Sequence, residues 1–258
     1  MAVAACCGRF VFEDQSTDCS MIEDDDTRAG GDGTHDLRSF GRRRGRKISS
    51  RQSRLLDELL PCVGIPLTPP SPMDLQALFA TPRTEYWLEI GFGGGEHLIW
   101  QAVANPHVGL IGSEPFEEGV VKVLAAIEDR SLGNIRLHPD DVRPLLRCLP
   151  PASLARVFIL FADPWPKRKH QKRRLINGAL LEQLARVMRP GAELRIATDI
   201  ADYARTILMA FQKTEDFSWR AAGPGDWRHR PADWPETRYE QKAVREGRRS
   251  VYLTFERR

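Results

Sequence analysis

The sequence predicts an α/β fold, a doubly wound and mostly parallel seven-stranded sheet with helices on both faces. Three observations predict it. From residue 81 onward, short strand-like runs alternate with stretches of helical periodicity. Repeated β-α units of this kind demand a parallel sheet with crossover helices. A glycine-rich turn, Gly91–Gly95, falls where the first run meets the first helix. The run Ala155–Phe161 is apolar without alternation, as expected of a strand buried on both faces.

The elements follow in order. Residues 1–36 lack periodicity, are rich in Asp, Gly, Ser and Thr, and read as a disordered acidic tail. Two readings stay open for it: an acidic arm covering basic patches, or a solvated extension upstream of a later start such as Met21. Residues 37–80 form a basic arm (Arg42, Arg43, Arg44, Arg46, Lys47), a short helix over Arg51–Leu60 and a linker broken by Pro61, Pro66, Pro69, Pro70 and Pro72. A short turn of helix is expected over Asp74–Phe79. Residues 81–258 make the main domain. Its strands are expected at Tyr86–Ile90, Val108–Gly112, Ile135–His138, Ala155–Phe161, Glu193–Ala197, Phe217–Ala221 and Val251–Phe255. Its helices are expected at Glu96–Ala104, Glu117–Asp129, Arg143–Leu149, Leu175–Met188 (stopped by Pro190-Gly191) and Ile200–Gln212. Residues 222–248 hold charged and aromatic clusters with few apolar runs and read as a functional loop.

Composition narrows the class. The chain has 258 residues, 41% of them hydrophobic and 28% charged, enough to build a sizeable core. Its net charge is only +3, but the charge is unevenly placed. Acid dominates Glu13 to Asp36, and base dominates Arg38 to Arg54 and Lys167 to Arg174, which points to an anionic partner. The five cysteines, Cys6, Cys7, Cys19, Cys62 and Cys148, show no metal-ligand spacing and read as free thiols. No metal site is expected. No apolar run has the length of a membrane span, and the start has no basic region before its apolar residues, so no signal peptide is read. A soluble, cytoplasmic chain without an obligate protein partner, monomer or homodimer, is the expectation.

The first motif is Leu88-Glu89-Ile90-Gly91-Phe92-Gly93-Gly94-Gly95. Glycines such as Gly91 and Gly93 at a strand-to-helix turn let the backbone approach a nucleotide-like ligand without Cβ clashes. Glu89 decides between ligands. A carboxylate there repels a pyrophosphate at the helix N-terminus and suits the ammonium of a methionine moiety, which favours S-adenosylmethionine over a nicotinamide dinucleotide. Glu114 follows the second strand about 20 residues on, where an acid accepts from a ribose diol. Asp140-Asp141 follows the third strand. Asp141, one step nearer the helix start, is placed to accept from an adenine amino group, and it also suits an N-cap.

The second motif, Phe161-Ala162-Asp163-Pro164-Trp165-Pro166-Lys167-Arg168-Lys169-His170-Gln171-Lys172-Arg173-Arg174, follows the fourth strand. Ligands of doubly wound sheets bind at the carboxyl ends of strands, so Asp163 points into the site. Pro164 and Pro166 stiffen the loop around Trp165, which suits stacking on a base. The cations suit phosphates, and their crowding at a helix N-terminus costs stability, which favours function over accident.

With these residues the chain resembles the bacterial tRNA (guanine-N7-)-methyltransferase family, whose members are also called tRNA (guanine(46)-N7)-methyltransferases. The resemblance rests on LEIGFGGGEHL, the GSEPF turn at Gly112–Phe116, ADPWPKRKHQKRR, the ATD at Ala197–Asp199 and TRYE at Thr237–Glu240, and covers roughly Arg38 to the C-terminus. It implies a Rossmann-like class I methyltransferase domain over residues 81–258. It also implies S-adenosyl-L-methionine contacts at Glu89, Gly91, Gly93, Glu114, Asp141 and Asp163, with Asp163 also catalytic. Substrate contacts would come from Lys167, Asp199, Thr237, Arg238, Tyr239 and Glu240. RNA contacts would come from Lys169, His170, Gln171, Lys172, Arg173 and Arg174. The acceptor would be guanine N7 at position 46 in the variable loop of tRNA. Arg238 stands where many members have Lys, which keeps the charge.

Other readings of single residues stay open at this point. Asp199 also suits an N-cap for Ile200–Gln212. Tyr239 and Trp234 suit either loop-core aromatics or an exposed loop, with Pro231, Pro235 and Arg230 favouring exposure. His97 and His170 read as helix-surface residues. Methylation of a protein or small molecule conflicts with the basic segments, and a non-catalytic RNA module conflicts with the acids at successive strand ends.

Overall fold

The computed structural model describes residues 43, 45, 48–67 and 72–258. The acidic tail, Arg42, Arg44, Arg46, Lys47, Cys6, Cys7, Cys19, Pro69 and Pro70 lie outside the described residues. Seven strands, β1 (Glu85–Ile90), β2 (Val108–Ser113), β3 (Ile135–His138), β4 (Leu154–Leu160), β5 (Met188–Thr198), β6 (Phe217–Trp219) and β7 (Val251–Arg257), form one sheet in the order β3-β2-β1-β4-β5-β7-β6. All pairs are parallel except those of β7, which runs antiparallel to β5 and β6. The strand order reverses between β1 and β4, and that switch point is where a doubly wound sheet opens a ligand crevice.

Alternation along the strands feeds two cores. Leu88, Ile111, Val157, Ile159 and Ile196 enter one, with Leu145, Leu181 and Tyr203 from the helices α5 (Val142–Cys148), α6 (Gly178–Val187) and α7 (Ala201–Phe211). Trp87, Leu110 and Phe158 enter the other, with Leu98 of α3 (Glu96–Ala104) and Leu124 of α4 (Glu117–Arg130). β4 is thus buried on both faces, which explains its unbroken apolar run.

Several expectations need correction. The helix expected over Leu175–Met188 starts at Gly178, because the Asn177 side chain accepts from the Leu180 N–H and caps it. Ahead of it, Arg168–Arg173 forms a 3-10 turn. β5 begins at Met188, earlier than expected, because Gly191 takes a left-handed φ of 79° and the pairing with β4 shifts register between Leu154 and Arg156. The first helix runs past Pro61. It consists of α1 (Ser50–Arg54), a π-helical turn Leu55–Leu59 and α2 (Leu60–Val63). Proline has no N–H to donate, and it sits in the first turn after the π segment, where that loss matters least. The region 222–248 holds two helices, α8 (Gly225–Arg228) and α9 (Arg238–Arg245). Thr237 caps α9 by accepting from the Glu240 N–H at 3.3 Å.

Candidate active site

Four adjacent strands, β3, β2, β1 and β4, each lead at the carboxyl end into an acid. Glu89 sits inside β1 between Gly112 and Phe158 and is buried. Glu114 follows β2, accepting from the N–H groups of Gly93 at 2.7 Å and Phe116 at 2.9 Å. Its carboxyl is pushed above the usual range by burial, and further by the negative charges of Asp163 and Glu89, against the pull of those two N–H groups. Glu114 thus feels the charges of both Asp163 and Glu89. Asp163 follows β4 and is exposed, yet the protein around it still desolvates its carboxyl and raises its pKa.

Asp141 caps α5, accepting from the Arg143 N–H at 2.9 Å and pairing with its guanidinium at 2.8 Å. The cap expected of it is present. Its neighbour Asp140 instead pairs with Arg43 of the basic arm at 2.7 Å, and the Arg43 carbonyl accepts from the Glu117 N–H at the start of α4.

The glycine turn holds left-handed φ values at Gly91, Gly93 and Gly95, which L side chains rarely adopt. Gly94 serves a different end. A Cβ there would lie 1.0 Å from a guanidinium nitrogen of Arg238, so its bare backbone is the surface on which that side chain rests. Glu96 fixes Arg238 from the side at 2.7 Å. Tyr239 lies over Gly93 and stacks on Phe161, with ring centroids 6.3 Å apart and planes at 16°. Its phenol is raised by burial first, then by Glu114, Glu96 and Asp163, while Arg238 opposes. The fold thus carries Arg238 and Tyr239 back onto the turn from 140 residues away or more.

Asp199, just past β5, pairs with Arg248 at 2.6 Å and does not cap α7. Glu240 points into the protein, accepting from the Tyr252 hydroxyl at 2.6 Å and pairing with Arg230 at 3.2 Å. In the loop after β4, Phe161 and Trp165 hold positive φ values of 53° and 41°, a strained backbone typical of functional loops. Lys167, Arg168, Lys169 and Lys172 are exposed. Arg173 lies over the Trp165 ring at 5.0 Å and His170 meets its edge at 5.9 Å. Gln171 is within reach of Asp202 at 3.3 Å.

The glycine turn thus presents bare backbone beside the buried acids Glu89 and Glu114, and the loop after β4 carries exposed cations. The family model described as "Putative methyltransferase" matches residues 83–253. A tRNA (guanine-N(7)-)-methyltransferase of Rhodospirillum rubrum is 50% identical over 228 residues, 87% of this chain and 89% of the relative. One of Mesorhizobium japonicum is 48% identical over 220 residues, 85% of this chain and 94% of the relative. The chain belongs to the tRNA (guanine-N7-)-methyltransferase family.

Set against the family's expected site, two placements stand apart. Arg174 is 2% exposed. It donates to the Pro164 carbonyl at 2.9 Å, bonds Asp202 and Thr206, and lies over Tyr203. A guanidinium so enclosed cannot reach a phosphate in this conformation, and it anchors the loop that carries Asp163. His97 is also buried, not on the helix surface, and its Nδ1 meets Glu89 at 2.7 Å. Trp234 belongs to the core and packs edge-on against His97 and Tyr252. Arg230, expected to favour an exposed loop, instead pairs with Glu240, and sequence reasoning passed over Arg248 and Tyr252, which hold Asp199 and Glu240. For α9 a signal was present, since Thr237-x-x-Glu240 is the spacing of a capping box. Among the described residues, no helix is long and apolar enough to cross a membrane, and no group of His, Cys, Asp or Glu is placed to hold a metal ion.

Proposed function

We propose that this chain transfers the methyl group of S-adenosyl-L-methionine to N7 of guanine 46 in the variable loop of tRNA, through a transferase domain spanning residues 81–258. The observation that supports this reading is the glycine turn itself, where Glu114 accepts from the Gly93 N–H and Tyr239 and Arg238 lie against Gly93 and Gly94. The residues fit the donor. Glu89 offers an acid for its ammonium, Glu114 one for its ribose, Asp141 one for its adenine, and the turn from Gly91 to Gly93 presents backbone without side chains. When bound, the donor supplies an electrophilic methyl group on a sulfonium.

Guanine N7 carries a free lone pair, so no proton has to be removed before attack. The protein's task is to place the base, which is catalysis by proximity and orientation. Asp163 accepts from the N–H groups of the guanine and stabilises positive charge growing on the purine. Tyr239 supplies a flat surface beside it. Lys167 and Asp199 border the base, with Thr237, Arg238 and Glu240 shaping the wall behind. Lys169 and Lys172 reach the backbone phosphates, with Arg173, His170 and Gln171 stacked or bonded behind them. Arg174 supports these contacts from within.

The test uses labelled S-adenosylmethionine with unmodified tRNA, followed by aniline cleavage. Label in tRNA with cleavage at position 46 is expected, and a transcript with adenine at 46 stays unlabelled. Label in protein, or cleavage elsewhere, overturns the reading.

A further inference from the structure

Behind the donor acid lies a polar chain that the reaction itself does not require. Glu89 meets His97 Nδ1 at 2.7 Å, and His97 Nε2 meets the Gln101 amide nitrogen at 3.1 Å. The same nitrogen donates to the Asp233 carbonyl at 2.9 Å. Gln101 Oε1 accepts from Asn105 at 3.0 Å, which fixes the amide orientation. An amide nitrogen has no lone pair to offer, so Nε2 of His97 is the acceptor and Nδ1 carries the hydrogen that Glu89 accepts. From Asp233 the chain continues. The Trp234 carbonyl accepts from Arg230 at 2.9 Å, and Arg230 pairs with Glu240 in the Thr237–Glu240 segment. His97, Gln101, Glu89 and Glu240 are all buried, so each of these groups depends on its partner in the chain.

We propose that His97 and Gln101 are positioning residues that couple donor binding at Glu89 to the segment 229–240, so that donor and tRNA each tighten the other's binding. The proposal rests on the functional reading above for the identity of the two ligands. The physical argument is that His97 holds Glu89 by one oxygen and leaves the other for the donor's ammonium. The orientation of His97 is set in turn by Gln101, which also grips the loop. A donor that engages Glu89 therefore favours the arrangement in which Asp233, Arg230 and Glu240 are held. Linkage makes the effect reciprocal.

The experiment measures the affinity of S-adenosylhomocysteine, which keeps the donor's ammonium but cannot react, by calorimetry with and without tRNA, in the full chain and in Gln101→Met, His97→Asn and His97→Leu. The wild type is expected to bind it about fivefold more tightly, or better, with tRNA present. Gln101→Met cuts the grip on the loop and brings that factor close to one. His97→Leu leaves Glu89 without its donor and weakens binding of S-adenosylhomocysteine by about tenfold or more. His97→Asn keeps an N–H for Glu89 and recovers most of that loss, but it does not recover the coupling. Melting curves identify any variant that does not fold, and Gln101→Met and His97→Asn still decide the matter if His97→Leu is one of these. Coupling retained in Gln101→Met, no coupling in the wild type, or His97→Asn as weak as His97→Leu overturns the proposal. Failure of the wild type to bind S-adenosylmethionine or to methylate tRNA would instead sink the functional reading.

Discussion

Arg174 sits in a run of cations that suggests RNA, yet it is 2% exposed, and the two roles predict different outcomes for Arg174→Met. Methionine keeps the unbranched stem and removes the guanidinium. The Pro164 carbonyl then loses its donor, and Asp202 and Thr206 lose a shared partner. Asp202 is 56% exposed at its side chain and returns to water at little cost. The Pro164 carbonyl and the Tyr203 ring, which Arg174 covers at 5.1 Å, do not regain equivalent partners. A hydrogen bond to a charged group contributes about 1.5–3 kcal/mol. Allowing for the part that water restores, the loss is about 2–4 kcal/mol. At about 2–4 °C per kcal/mol for a domain of this size, the melting temperature should fall by roughly 4–16 °C. Turnover should fall with it, because Pro164 adjoins Asp163. The dependence of tRNA affinity on salt should stay as in the wild type. A phosphate contact predicts the reverse, an unmoved melting temperature and a salt slope reduced by about one. That second pattern, seen in calorimetric melting and salt-titrated tRNA binding, would refute the anchoring role.

Asp163→Asn should lower turnover on tRNA by about 100-fold or more, the scale of losing one preorganised charge, in single-turnover assays. The same change should leave the melting temperature of the ligand-free protein level or higher. An acid whose pKa is raised by folding makes stability fall as pH rises through that range, so removing the charge removes a cost. Because Glu114 and Asp163 are both raised, kcat/KM should decline on the acid side already above the ordinary carboxylate range. In Asp163→Asn the remaining limb should move to lower pH, since Glu114 loses a repelling neighbour. Gly119→Ala should weaken donor binding by about tenfold, because its Cβ would stand 2.1 Å from the Gly93 carbonyl and overpacking costs about 1–3 kcal/mol. Calorimetric titration with S-adenosylmethionine checks it.

What was legible in the chain depended on how local the cause is. α3 runs over Glu96–Ala104 as expected, because Gly95 precedes it and Asn105-Pro106 follows it. The position of Glu89, Glu114, Asp141 and Asp163 at or just past neighbouring strand ends was legible, because a doubly wound sheet brings the ends of its strands together whatever the loops do. The burial of His97 was not legible, since it follows from a loop 132 residues beyond Gln101 folding over α3. Arg174 misleads for the same reason. It closes a run of cations that includes the exposed Lys169 and Lys172, while its partners are Asp202 and Thr206 on α7. The motif singled out Glu240, but only the tertiary fold shows that it turns inward to Tyr252 and Arg230.

The grouping of acids has an energetic consequence of its own. Burial disfavours the Glu114 anion more than the Gly93 and Phe116 N–H groups favour it, and the charges of Asp163 and Glu89 add repulsion. A ligand carrying an ammonium and a sulfonium relieves it, and a nicotinamide dinucleotide with its pyrophosphate would add to it. The same electrostatics bear on the acceptor. Methyl transfer to guanine N7 moves the positive charge from the sulfur to the purine and leaves a neutral thioether behind. In that reaction the positive charge moves rather than being created or destroyed. An arrangement of fixed carboxylates needs little reorganisation to follow such a shift, and preorganised charge of that kind lowers a barrier. Lys167, Arg168, Lys169 and Lys172 are exposed, and in the proposed reaction their charge would draw in the phosphates of the RNA.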